Sequence, residues 1–287
     1  MGGEGKNPWA GDPGAGVSAP GVTSGAVVNT GIGAVFFDLD GTWFRWQLFD
    51  EWIREMIRLG LFPEIVYAMA KKERLAYQNR EAPFGDWVKK QVEAYSGYMR
   101  GIKVADVKFA AHQMIAEKAK RVHVFTRELA SAAKDCGYRR VIISGSPQAV
   151  VEAFAEANGI NVFLGTEHEE RNGVYTGVTT KEWVNDKAEG VRYIAGRYGI
   201  NLDRSIVIGD GRTDARMGEL VGRMICFNPE KPLRDLALEN GWLVAVEKKD
   251  CLHLYRRQGD VTRLVHLDEY LPEPLANNLM DRLTAKS

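Results

Sequence analysis

Six short apolar runs constrain this chain more than any other feature: AVFFDLD (34–40), RRVIISG (139–145), NVFLGT (161–166), SIVIGD (205–210), RMICFN (223–228) and WLVAV (242–246). They lack the polar alternation of a strand with one wet face, so they suit a parallel sheet covered on both sides. Helical patterns lie between most of them, including PQAVVEAFAEANG, DKAEGVRYIAGRYG and EKPLRDLALENG, with glycine as a C-terminal stop. Such alternation predicts an α/β fold with a doubly wound, mostly parallel, Rossmann-like sheet. The span EERNGVYTGV reads instead as an Asn-Gly hairpin.

The runs also divide the chain. Residues 1–33 hold ten glycines and only three charged residues, too little apolar surface to offset the entropy of ordering, which predicts a flexible tail. GEGKNP within it lacks the Lys-Ser/Thr ending and preceding strand of a phosphate-binding P-loop. The catalytic core is expected over 34–43 and 120–250, and a helical cap over 44–119. In that cap QLFDEWIREMIRLG places Leu48, Phe49, Trp52, Ile53, Met56 and Ile57 on one helical stripe. Pro63, Pro83 and Gly101 are expected to break the insert into separate helices. Residues 251–287 form an extension in which CLHLYR and TRLVHL alternate like a small hairpin or edge addition. His253 and His266 are expected on its surface.

With 38 basic and 38 acidic side chains cancelling, no excess positive charge is available for a nucleic-acid backbone. Cys136, Cys226 and Cys251 stand far apart among apolar neighbours. They read as buried thiols in a reducing compartment. No apolar run reaches the length of about 18 residues that a membrane span needs, and the N-terminus lacks the order of a secretory signal. These features point to a cytoplasmic protein.

Chemistry concentrates at three strand ends: Asp38-Leu39-Asp40-Gly41-Thr42, Ser144-Gly145-Ser146-Pro147 and Asp210-Gly211-Arg212-Thr213-Asp214. The carboxyl ends of strands line the crevice of an open parallel sheet, so Asp38, Asp40, Asp210 and Asp214 converge there. Two carboxylates about 4 Å apart repel by roughly 4 kcal/mol at an effective dielectric near 20. Four together require protons or a cation, and all-oxygen ligands select a hard divalent ion, Mg²⁺.

DLDGT, then SGS after an apolar strand, then Lys187 and GDGRTD resemble, in that order, the four motifs of the haloacid dehalogenase superfamily over roughly residues 34–246. The insert after the first motif is similar to the cap of the phosphoserine-phosphatase-like branch, and FNPEKPLRDLALENGW resembles the last helix and strand of its bacterial members. The resemblance implies that Asp38 is the nucleophile and that Asp40 protonates the leaving oxygen and then activates water. It implies further that Ser144, Gly145 and Lys187 hold the phosphoryl group while Asp210 and Asp214, with Asp38, fix Mg²⁺. An acid two residues after the nucleophile shares its strand face. Asp40 also favours a phosphatase, since the dehalogenase branch lacks the second aspartate and the ion pumps carry threonine there.

Each assignment has a rival. Lys181 competes with Lys187, but Lys187 precedes Asp210 by 23 residues, enough for one helix and a return strand. Ser146-Pro147 reads as a helix N-cap and first helical position, which leaves Ser144 as the phosphate ligand. For Asp214 the rival role is to cap a helix running from Ala215. Arg45, Trp46 and Gln47 follow the catalytic loop and are the candidates for substrate choice; Trp43 and Phe44 suit either the entrance or the hinge. In phosphoserine phosphatases a glutamate nine residues after the nucleophile grips the substrate amine, and here that position is the uncharged Gln47.

The expected function is Mg²⁺-dependent hydrolysis of a small phosphomonoester through phospho-Asp38, with no nucleic-acid partner and no membrane span. Transfer of the phosphoryl group to an alcohol and a non-catalytic phosphate-binding scaffold are the alternatives.

Overall fold

The computed structural model describes residues 31–285 apart from 83, 185 and 250. The tail expected over 1–33 therefore lies outside the described residues except at 31–33, as does the expected break at Pro83.

The apolar runs form β1 (Ala34–Phe37), β2 (Arg139–Pro147), β3 (Phe163–Arg171), β5 (Ile206–Gly209), β6 (Arg223–Phe227) and β7 (Leu243–Lys248). Neighbours among these pair in parallel. The Asn-Gly hairpin forms as expected, with β4 (Val174–Lys181) antiparallel to β3. Asn172 and Gly173 both take positive φ, 53° and 76°, which suits a tight turn between twisted strands. At the other edge β8 (Cys251–Gln258) and β9 (Val261–Leu264) add an antiparallel hairpin, giving the order β4-β3-β2-β1-β5-β6-β7-β8-β9.

Side chains alternate between two apolar clusters, which explains why the strands show no polar alternation. Val35 and Phe37 of β1 join one cluster with Ile142, Ile206, Ile208 and Phe227; Ala34 and Phe36 join the other with Val141, Ile143 and Val207. Helices cover both. On the first face lie α6 (Val124–Asp135), α7 (Gln148–Ala157) and α11 (Glu273–Thr284); on the second lie α8 (Lys187–Tyr198), α9 (Arg212–Gly218) and α10 (Lys231–Asn240). The chain runs outward from β1 to β2 and β3, then returns to β5 beside β1 and proceeds the other way. That reversal opens the crevice at the carboxyl end of β1.

Between β1 and α6 lies the inserted helical cap: α1 (Leu48–Arg58), α2 (Ile65–Ala68), α3 (Lys71–Gln78), α4 (Phe84–Tyr98) and α5 (Val104–Lys118). Its stripe residues Leu48, Phe49, Trp52, Ile53 and Met56 are buried and share the first cluster with the sheet. Gly60 and Gly101, at φ 72° and 83°, turn the chain after α1 and α4.

Three expectations are corrected. Of the cysteines, only Cys226 is buried, while Cys136 is partly exposed and Cys251, on an edge strand, is exposed. Ser146 is not the cap of α7, because β2 continues through Pro147, which occupies the N-cap position itself. α9 begins at Arg212 rather than Ala215. No described helix is long and apolar enough to cross a membrane.

Candidate active site

Asp38 directly follows β1, and Lys187 meets it at the crevice. Lys187 Nζ donates to Asp38 Oδ1 at 2.5 Å and to Asp214 Oδ1 at 2.6 Å. Burial opposes its charge, but Asp214 and Asp38 prevail and raise its pKa. Its place as the first residue of α8 adds a second opposing effect, since the amino end of a helix repels cations. A lysine kept there against both effects is held by its carboxylates. Lys181, its rival, pairs instead with Glu189 at 2.8 Å.

Asp210 follows β5 and accepts from the Thr42 hydroxyl at 3.2 Å. Asp214 is the third residue of α9, and its Oδ2 accepts from the Gly211 amide at 2.9 Å. Gly41 brings the first loop against Asp210; it sits at φ 83°, and a Cβ there would collide with the Asp210 carboxylate.

Oxygens of Asp38, Asp210 and Asp214 all lie within 4.8 Å of one another. Burial, followed by the charges of Asp38 and Asp214, raises Asp210 well above the usual carboxylate range. Burial also pushes Asp214 up to about 6, although Lys187 opposes it. One ammonium cannot balance three carboxylates, so the trio carries excess negative charge at close range. An oxygen-only donor set with that excess fits a hard dication such as Mg²⁺.

Asp40 stands outside the trio. Its Oδ2 accepts from Ser146 Oγ at 2.7 Å and Ser144 Oγ at 3.0 Å, and its Oδ1 accepts from the Leu48 amide at 2.5 Å. The structure thus does not bring the Asp40 carboxylate into the metal cluster expected for it, because β2 and the start of α1 claim both oxygens. Burial raises its pKa, against the pull of Ser146, Leu48 and Ser144. Ser144 is fully buried, with its hydroxyl on Asp40. At Gly145 a Cβ would meet the Val184 side chain at 2.8 Å, so close packing requires glycine.

The three specificity candidates separate. Arg45 Nη2 reaches Glu247 at 3.4 Å, which makes it a strut between the catalytic loop and β7. Trp46 is 37% exposed and points its indole N–H at Asp50 Oδ2, 3.5 Å away. Gln47 is buried, and its Oε1 has no hydrogen-bond partner among the described residues. Trp43 and Phe44 are core residues, Trp43 packing on Phe37 and Phe154 at 4.7 and 5.5 Å.

Several participants escaped the sequence reading. Ser146 lies two residues after Ser144, which on a strand continued to Pro147 puts both on one face. Thr42 was visible only as the end of DLDGT. Burial, then the charges of Glu230 and Asp210, raises the pKa of Tyr77, a residue of the cap helix α3. Its ring stacks on Trp87 at 5.6 Å. No local pattern announces such a contact.

Comparisons with known proteins point to one family. A family model described as haloacid dehalogenase-like hydrolase matches residues 35–219. The chain is 30% identical to phosphoserine phosphatase SerB1 of Mycobacterium tuberculosis over 217 residues, which is 73% of this chain and 69% of that protein. Among solved structures, a protein of unknown function from Bordetella pertussis Tohama I superposes with a TM-score of 0.62 at 20% identity, covering 75% of this chain and 98% of that one. A phospho-aspartyl intermediate analogue of phosphoserine phosphatase superposes with a TM-score of 0.51 at 23% identity, covering 71% and 90%. With its motifs at the ends of β1, β2 and β5 and its cap after the first of them, the chain belongs to the haloacid dehalogenase-like hydrolase family, in the phosphoserine-phosphatase-like branch.

Proposed function

We propose that the chain is a Mg²⁺-dependent phosphatase that cleaves a small phosphomonoester through a phospho-Asp38 intermediate. The contrast between Asp38 and Asp40 carries the reading. Asp38 faces the Lys187 ammonium at 2.5 Å, at the position from which a carboxylate can bond covalently to phosphorus. Asp40, two residues on, is partly buried, and desolvation raises its pKa, which favours the protonated form that a general acid needs.

In the first half-reaction an Asp38 oxygen bonds to phosphorus as the bond to the leaving oxygen breaks, and Asp40 protonates that oxygen. In the second, Asp40 takes a proton from water as the water oxygen bonds to phosphorus, and the Asp38–phosphorus bond breaks. Lys187 places positive charge against the phosphoryl oxygens throughout. Asp38, Asp210 and Asp214 would hold Mg²⁺, which supplies further positive charge against the phosphoryl group. Ser144 and Ser146 orient Asp40.

A panel of phosphate esters assayed with Mg²⁺ and with excess chelator tests the proposal. Turnover should require the metal, and the metal-bound protein should melt at a higher temperature than the stripped one. Full activity in chelator would remove the metal role of Asp210 and Asp214.

A further inference from the structure

The cap contains a second cluster of cations, away from the catalytic trio. Arg54 and Ile57 of α1, Ile65 and Tyr67 of α2, and Lys71 and Arg74 of α3 line a cavity of about 620 Å³, within the size range of small-molecule sites. Leu48, whose amide holds Asp40, lies six residues before Arg54 on the same helix. At 1.5 Å per residue Arg54 stands roughly 9 Å along α1 from the residue whose amide holds Asp40.

Arg74 makes this cavity unusual. It is only 9% exposed, and its guanidinium lies 3.8 Å from the centre of the Tyr67 ring. One N–H reaches the Tyr67 carbonyl at 3.4 Å. The ring and that carbonyl are its partners among the described residues, and neither is a carboxylate. Arg54 shares the same ring at 4.3 Å and pairs with Asp50 at 3.2 Å. Lys71 is exposed at the rim. Arg54, Lys71 and Arg74 outnumber the nearby carboxylates of Glu64 and Asp50.

One Arg74 N–H has a partner on the protein and the Tyr67 ring covers the guanidinium, which leaves further donors at the cavity it lines. A bidentate oxyanion matches the unused donors. Ile57 and Ile65, the latter 53% exposed, supply an apolar wall beside the cations. We infer that the cap cavity is an anion-binding site distinct from the catalytic centre, and that it takes a phosphate or carboxylate group carried on an apolar body. A soluble alkyl phosphate and the headgroup of an anionic lipid share this chemistry.

Calorimetry on the full chain carrying Asp38→Asn, which prevents turnover, tests the inference with octyl phosphate below its micelle concentration. Two binding events are expected. Adding Lys71→Glu or Arg74→Gln should weaken one of them about tenfold or more and leave the other unchanged. If Arg74→Gln fails to fold, Lys71→Glu at the exposed rim decides. Vesicles of phosphatidylcholine with and without phosphatidic acid identify the source. Retention on the phosphatidic acid vesicles alone, lost in Lys71→Glu and without a second octyl phosphate event, assigns the site to a lipid headgroup. One binding event with octyl phosphate and no Lys71-dependent retention on vesicles would overturn the inference, as would two events that neither variant changes.

Discussion

Asp38 and Asp40 are separated by a single leucine, yet their carboxylates meet opposite surroundings. Asp38 faces an ammonium, and Asp40 faces two hydroxyls and an amide. Removing the charge of Asp38 while keeping its shape isolates the nucleophile. Asp38→Asn should fold, because an amide can still accept from Lys187, and should lose at least about a thousandfold in kcat, a reach consistent with losing covalent catalysis. Rapid-quench detection of a phospho-enzyme in the parent and its absence in the variant checks the same point; near-parental turnover in a stable Asp38→Asn protein rules it out. At this scale much was legible, since Asp38, Asp210 and Asp214 meet as their strand ends suggested, and Lys187 joins them as the family resemblance and its spacing before Asp210 implied. Ser146 was not, because its sequence neighbour Pro147 reads as the first residue of a helix although β2 extends that far.

Among the elements, the junction between catalytic loop, α6 and β7 turns on Glu247. Its carboxylate accepts from His123 Nδ1 at 3.1 Å and from the amides of Val124 and Phe125 at 3.3 and 2.8 Å, capping α6 from a distant strand. Burial would raise its pKa, but the His123 bond and the α6 amides win and bring it from 4.5 down to about 2. A depressed carboxyl contributes its stability above its unfolded pKa and loses it as pH falls through the folded one. Glu247→Gln should therefore cost about 1–3 kcal/mol at neutral pH. That difference should shrink as the pH falls from 4.5 toward 2, the window set by the shifted carboxyl. Urea midpoints of both proteins at pH 7 and near pH 3 measure it, and a gap that does not narrow would contradict the cap. Nothing near Glu247 in the chain marks this role, since the partners of its carboxylate lie 122 to 202 residues away.

For the molecule as a whole, we place the choice of substrate where the cap meets the sheet. Gln47 is buried and uncharged, so a substrate ammonium would be desolvated there without a counter-charge. Tyr77, half-buried and stacked on the buried Trp87, offers aromatic surface on a cap helix that feels the charge of Asp210. Phosphoserine should accordingly show a kcat/KM about tenfold or more below that of an aryl phosphate, a modest demand on one desolvated charge. Tyr77→Ala should narrow the gap by lowering the aryl value. A phosphoserine preference would mean that another cap residue holds the amine. The parallel sheet and the helical insert were legible because burial on both faces writes unbroken apolar runs, and amphipathic helices write a period, into consecutive residues. The strand-end carboxylates were legible because a charge closing an apolar run is expensive unless it is used. Asp40's three hydrogen bonds, the Glu247 cap, the stack of Tyr77 on Trp87 and the seat of Arg74 on Tyr67 were not. Each depends on side chains far apart in the chain that meet only after the strands have ordered and the cap has closed. Such contacts leave no periodicity behind, so folding alone selects them.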